Sequence, residues 1–439
     1  MSFELPFKLP TGWQVATVDE LVKQKIIAKP LDGNHGGIHP KASDYIESGV
    51  PFVMASDLAG GRVDLIDCKF ISEEQASGLR KGIAKAGDVL LSHKATIGRT
   101  AIVQDSKHDF IMLTPQVTYY RVINSSALSN IYLKAYFDSR FFQSILGLWA
   151  GAGSTRAYLG ITGQLKLPII LPPIEIQNEI SAQVHALNKK VNLNNEINQV
   201  LEQMAQAIFK SWFVDFDPVK AKMNGEQPEG MDAATASLFP EKLVESELGL
   251  IPEGWEAGTL SDVAKYCSAR TSIDSICLDN YISTENMLAD RKGVTAASKL
   301  PTAKMVAAYK TGDVLVSNIR PYFKKIWLAE GDGGRSNDVL GFESSAPNTD
   351  VYIMNLLYQD TFFEYMTRTS KGAKMPRGDK TAIMNWGIAV PPVELREAYS
   401  AIVDKFYKLI PQNRTQNETL ESLRDTLLPK LLSGELTLD

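Results

Sequence analysis

With 439 residues, 44% of them hydrophobic and 22% charged, the chain is too long for one ordinary core and too apolar to be disordered or fibrous, so two to four domains are expected. No run approaches the roughly 18 to 20 apolar residues that span a bilayer, and residues 1–10 lack a basic region followed by an apolar one. A cytoplasmic protein with no membrane partner is therefore expected, and Cys68, Cys267 and Cys277, odd in number and without CxxC spacing, suggest neither a disulfide framework nor a zinc site.

Along the chain, the first signal is Leu9-Pro-Thr-Gly-Trp13, followed by Thr17-Val-Asp-Glu-Leu21 and Lys23. Next comes Gly87-Asp-Val-Leu-Leu-Ser92, a turn running into an apolar stretch that reads as a buried strand. Leu171-Pro-Pro-Ile-Glu175 then opens a long helical pattern, its proline pair suited to a helix start. Residues 215–250, rich in Pro, Gly, Asp and Glu, read as a connector returning along that helix, with a short helix near Ala233 to Leu238.

The second half repeats the first. Ile251-Pro-Glu-Gly-Trp255 with Thr259-Leu-Ser-Asp-Val263 and Lys265 follows at an offset of 242, Gly312-Asp-Val-Leu-Val-Ser317 at 225, and Val390-Pro-Pro-Val-Glu394 at 219. The order is kept while the offset shrinks, which is the mark of a duplicated frame holding unequal contents.

The two helices can be compared position by position. A heptad-like seam runs through Val184, Leu187, Val191, Asn194, Asn198, Leu201, Ala205, Ile208 and Trp212, and at offset 219 through Val403, Phe406, Ile410, Asn413, Asn417, Leu420, Arg424, Leu427 and Leu431. Apolar residues at this spacing argue for a coiled-coil surface. The Asn at the same two positions of each seam either fix register by pairing Asn194 and Asn198 with Asn413 and Asn417, or lie on a solvated face. Pro411 predicts a kink or interruption in the second helix.

A net charge of −5 argues at first sight against a polyanionic ligand. Its distribution removes the objection, because residues 1–170 carry 18 basic and 15 acidic side chains, residues 251–390 carry 16 of each, and the remaining helices and connector carry 12 basic and 20 acidic.

Two variable segments, each opened by Pro-x-Gly-Trp and closed by a Pro-Pro-hydrophobic-Glu helix, resemble the specificity subunits of type I restriction-modification systems over essentially the whole chain. The resemblance implies mixed α/β target-recognition domains in two pseudo-symmetric copies, separated by two long antiparallel helices that form a coiled coil. The implied division is residues 1–170 (first recognition domain), 171–213 (first helix), 214–250 (linker), 251–390 (second recognition domain) and 391–439 (second helix and tail). It also implies double-stranded DNA as ligand, read as a bipartite asymmetric target. The implied partners are two modification subunits, which bind S-adenosylmethionine, and restriction subunits, which use ATP and Mg2+; this chain itself would bind no cofactor. Unequal segments predict unlike half-sites, and helix length sets the gap between them.

On that reading, DNA contacts are sought on loops that combine cations, small residues and aromatics. Lys94 and Arg99 follow the first Gly-Asp strand, and Arg156 and Tyr158 lie in a glycine-rich stretch. Arg320, Lys324 and Lys325 follow the second, while residues 368–380, including Lys374 and Arg377, hold five basic residues and one acidic. The helix-pairing set comprises Leu187, Val191, Asn194, Asn198, Leu201, Phe406, Ile410, Asn413, Asn417 and Leu420.

Catalytic signatures fail in turn. The Pro-Pro motifs lack the preceding Asn or Asp and the following aromatic that an adenine methyltransferase needs. Residues 372–381, GAKMPRGDKT, miss the phosphate-loop spacing, Gly151-Ala-Gly153 has Arg156 where a third Gly belongs, and the five His have no Cys partner in sequence. Asp215-Phe-Asp217 reads as acidic linker. A non-catalytic DNA-specificity adaptor is the expectation; a protein-docking scaffold and a stand-alone DNA-processing enzyme are its alternatives.

Overall fold

The computed structural model describes residues 8–151, 157–372 and 374–433. Its described residues form two compact units, one within residues 8–194 and 415–433, the other within residues 195–414.

In the first unit, strand Gln14–Thr17 pairs antiparallel with Pro168–Leu171, so the opening motif and the approach to Pro172-Pro173 are hydrogen-bonded to each other. Thr17 caps helix Val18–Lys23, its hydroxyl accepting from the Glu20 amide at 3.2 Å while the Glu20 carboxylate accepts from the Thr17 amide at 2.7 Å. A six-stranded sheet runs in the order Leu31–Asp32, Val117–Tyr120, Val89–Lys94, Thr96–Ile102, Arg62–Val63, Leu58–Ala59. A four-stranded sheet, Lys69–Ile71, Val50–Val53, Ile111–Leu113, Ile83–Ala84, contains one parallel pairing, of its two middle strands. Helices Asn130–Asp138 and Arg140–Ala150 cover the larger sheet with the buried rings of Tyr132, Tyr136, Phe137 and Phe142.

The second unit repeats this plan with a four-stranded sheet in place of the six-stranded one. Glu256–Thr259 pairs with Gly387–Val390. One sheet runs Ala264–Tyr266, Val339–Ser344, Val314–Ser317, Ile326–Leu328; the other runs Arg270–Ser272, Met305–Tyr309, Gly333–Arg335, Tyr281–Ile282, again with one parallel pairing, between its last two strands. Both units are thus mixed α/β, and the strand after each Gly-Asp turn is central and fully buried over Val89–Leu91 and Val314–Val316.

The long helices are Ile174–Phe213 and Val393–Ser433, 40 and 41 residues. Within the first unit their segments run antiparallel: Asn194 Nδ2 donates to Asn417 Oδ1 at 2.8 Å, and Arg424 Nη1 donates to Asn188 Oδ1 at 3.1 Å. The second unit has Asn413 Nδ2 donating to Asn198 Oδ1 at 2.7 Å, and the Tyr399 hydroxyl donating to the Ala205 carbonyl at 3.0 Å. Ile410 is buried, while Leu187, Val191, Leu201, Phe406 and Leu420 are half-buried. Interruption at Pro411 does not occur. The helix continues through it, because a proline removes a single ladder bond, at the Tyr407 carbonyl, while Val403 and Ile410 on the same face stay buried and hold the turn in place.

The connector is more ordered than its composition suggests. It holds helices Asp217–Met223 and Ala233–Ser237, the second being the short helix expected there, and a hairpin of Leu243–Ser246 with Gly249–Pro252. No helix among the described residues is long and apolar enough to cross a membrane.

Candidate nucleic-acid interface

Each Gly-Asp turn is built alike. Gly87 and Gly312 sit at φ +85° and +89°, a region that glycine enters without penalty. The following Asp closes the turn on the backbone two residues before that glycine: Asp88 Oδ2 accepts from the Lys85 amide at 2.8 Å, and Asp313 Oδ2 from the Lys310 amide at 2.9 Å. Asp88 is further clamped by Arg121, at 2.9 and 2.7 Å. Asp313 has no such clamp among the described residues, and burial pushes its carboxyl above the usual range.

The strands that follow present the cations. Lys94 ends its strand exposed, next to Ala95 at φ +63°, and its backbone bridges to that of Tyr158. Tyr158 is half exposed, its ring 5.6 Å from that of His93. Arg99 turns back onto the protein: its amide donates to Ser92 Oγ at 2.9 Å, and Nη1 donates to the carbonyls of Ala55 and Ser56 at 3.2 Å each. In the second unit the Ser317 amide donates to the Lys325 carbonyl at 3.0 Å, and Lys325 Nζ donates to the Thr284 carbonyl at 2.7 Å.

Ala55 and Thr284 are equivalent residues, at an offset of 229. Each lies in a turn closed by an Asx side chain, with Asp57 Oδ2 accepting from the Met54 amide at 2.8 Å and Asn286 Oδ1 from the Ser283 amide at 2.7 Å. This fourth repeated feature escapes sequence reading, since Met54-Ala-Ser-Asp57 and Ser283-Thr-Glu-Asn286 share little beyond a terminal Asx; the one available signal is an offset lying between 242 and 225.

Arg320 and Lys324 flank the turn Pro321–Phe323 in left-handed conformations, φ +51° and +49°, of the kind that marks strained functional loops. Lys324 pairs with Asp360 at 2.7 Å, which also receives Arg291 at 2.5 Å; these two cations hold the Asp360 carboxyl down to about 2. The Arg320 amide donates to the Pro376 carbonyl at 2.8 Å, bringing that loop beside residues 374–378. There Lys374 is exposed and Arg377 pairs with Asp338 at 3.3 Å. Among the described residues the side chains of Lys94, Arg320 and Lys374 make no hydrogen bond or ion pair, whereas Arg99, Lys324, Lys325 and Arg377 are engaged. Arg156 lies outside the described residues.

Asp215 of the carboxylate pair accepts from Lys210, and Asp217 opens a helix.

Residues 10–203 match the family described as type I restriction modification DNA specificity domain. The chain is 24% identical to the type I restriction enzyme MjaIX specificity subunit of Methanocaldococcus jannaschii over 470 residues, covering 100% of both chains. It is 24% identical to the HindI specificity subunit of Haemophilus influenzae, covering 88% of this chain and 94% of that one. The crystal structure of a type I restriction-modification S subunit from M. genitalium aligns with a TM-score of 0.50 at 11% identity over 100% of this chain and 99% of that one, a likeness of fold. Residues 10–203 thus match a type I restriction modification DNA specificity domain, and the chain is similar over most or all of its length to specificity subunits of type I restriction enzymes.

Proposed function

We propose that this chain is the DNA-reading specificity subunit of a type I restriction-modification complex, recognising a bipartite, asymmetric duplex and positioning two modification subunits and, where present, restriction subunits. It performs no catalysis and works in the cytoplasm; S-adenosylmethionine, ATP and Mg2+ belong to the partner subunits. The observation that carries the reading is the repeated frame in which a Gly-Asp strand leads into a cation-bearing turn, with Lys94 and Arg99 in one unit and Arg320, Lys324 and Lys325 in the other. Two copies of one frame with unlike side chains suit two unlike half-sites, and lysines suit phosphate contact whatever the sequence.

The test is reconstitution with modification subunits and binding to a duplex library. Selective, salt-sensitive binding to a two-part motif is expected, and exchanging residues 251–390 for those of a relative should change one half of that motif. Equal affinity for selected and random duplex would sink the reading.

A further inference from the structure

Each unit carries a cleft at the same place, beside the ends of its parallel strand pair. The first, about 340 Å³, is lined by Met54, Thr114, Gln116 and Lys94, with His35 and His39 at its side. The second, about 430 Å³, is lined by Ser283, Asn286, Ser336 and Asp338, among others.

The backbone beneath them is the same. The Thr114 amide donates to the Val53 carbonyl at 3.0 Å, and the Ser336 amide to that of Ile282 at 2.8 Å. One strand over, the His93 amide donates to the Gln116 carbonyl at 2.9 Å, and the Asn318 amide to that of Asp338 at 2.8 Å. Thr114 and Ser336, and likewise Gln116 and Asp338, are therefore equivalent residues, both at an offset of 222.

A hydroxyl residue is retained at the first position, and Thr114 Oγ1 is buried with no partner among the described residues. The second position is exchanged. Half-buried Gln116 offers both a donor and an acceptor, and its amide makes no hydrogen bond among the described residues, whereas Asp338 offers acceptors only and is steadied by Arg377. A side-chain amide matches the donor and acceptor on the edge of adenine; a carboxylate matches the amino group of cytosine.

We infer that Gln116 and Asp338 are specificity-determining residues, each reading a base edge presented to its cleft in one half-site of the duplex. The inference rests on the reading of the chain as a DNA-specificity subunit and adds which side chains distinguish the two halves.

The experiment uses the full chain reconstituted with modification subunits and duplex libraries randomised in either half of the motif. Gln116→Glu, which keeps the shape and removes the donor, is expected to change preference at one position of one half-site by roughly five- to 150-fold. Asp338→Asn should do the same in the other half only. Gln116→Leu serves as a second variant, with circular dichroism melting to establish that each protein is folded. Folded variants that keep wild-type preference at every position would overturn the inference and leave the wider reading standing. A wild-type complex with no preference at any position would remove both.

Discussion

The Asn194 side-chain amide donates to Asn417 Oδ1 at 2.8 Å where both residues are buried, at 1% and 8% exposure. A hydrogen bond between two buried amides adds little net stability but punishes any register that separates them. Asn194→Leu should therefore lower the unfolding free energy by about 1 to 3 kcal/mol, because it withdraws a buried donor from the Asn417 oxygen. The double variant Asn194→Leu with Asn417→Leu should recover most of that loss. Denaturant melts of the four proteins give the coupling energy, and strictly additive losses would show that the pair is not a unit.

Lys94 and Arg99 stand five residues apart in sequence but do different things. Arg99 secures the carbonyls of Ala55 and Ser56, whereas Lys94 is exposed with no side-chain partner among the described residues. Lys94→Ala should leave the melting temperature unchanged, weaken binding to all duplexes alike and reduce the salt slope by about one. Arg99→Ala should instead destabilise the turn by about 1 to 3 kcal/mol, visible as faster hydrogen exchange at the Met54 amide. Equal effects of the two variants on stability would contradict this division.

What the sequence discloses and what it hides follow from how far apart the interacting residues lie. The Gly-Asp turns, the proline-opened helices and the Asn positions announce themselves because turn chemistry and helical period act over a few residues. The strand pairing of Gln14–Thr17 with Pro168–Leu171 is foreshadowed only as two repeated motifs, since nothing local says that they touch. The fate of a cation is hidden altogether. Lys324 looks as available as Lys94 in sequence, yet Asp360, 36 residues on, holds it. The exchange of Gln116 for Asp338 is likewise invisible, because their equivalence appears only through the backbone bonds beneath them.

Asp360 restrains two cations at once, and its removal is informative on two counts. Its carboxyl lies near 2 because of Arg291 first and Lys324 second, below its ordinary value near 3.8, so its contribution to stability is full above about pH 4 and is lost as pH falls toward 2. The group is mostly exposed, so solvent screening keeps this contribution small. Asp360→Asn should flatten the acid limb of the melting profile in that window. At neutral pH it should also release Lys324 and strengthen DNA binding at low salt. Unchanged affinity would show that Lys324 is a structural cation only.

His93 supplies a second pH dependence, in a window closer to neutrality. It is fully buried, its Nδ1 lies 3.1 Å from the Leu159 carbonyl, and Nε2 has no partner among the described residues, an arrangement that suits a neutral ring donating from Nδ1. Burial pushes the imidazole down to about 4, with His35 and Lys94 adding to the shift and Asp32 opposing it. The unfolded chain takes up this proton near 6.5, so between 6.5 and 4 it binds a proton that the folded chain refuses. Stability is therefore full above about pH 6.5 and falls as the pH drops toward 4, by about 3 kcal/mol in all. His93→Asn keeps a donor for Leu159 and carries no proton to lose. Its melting temperature should vary less between pH 7.5 and 5 than that of the wild type, and parallel profiles for the two proteins would show that His93 does not set this limb.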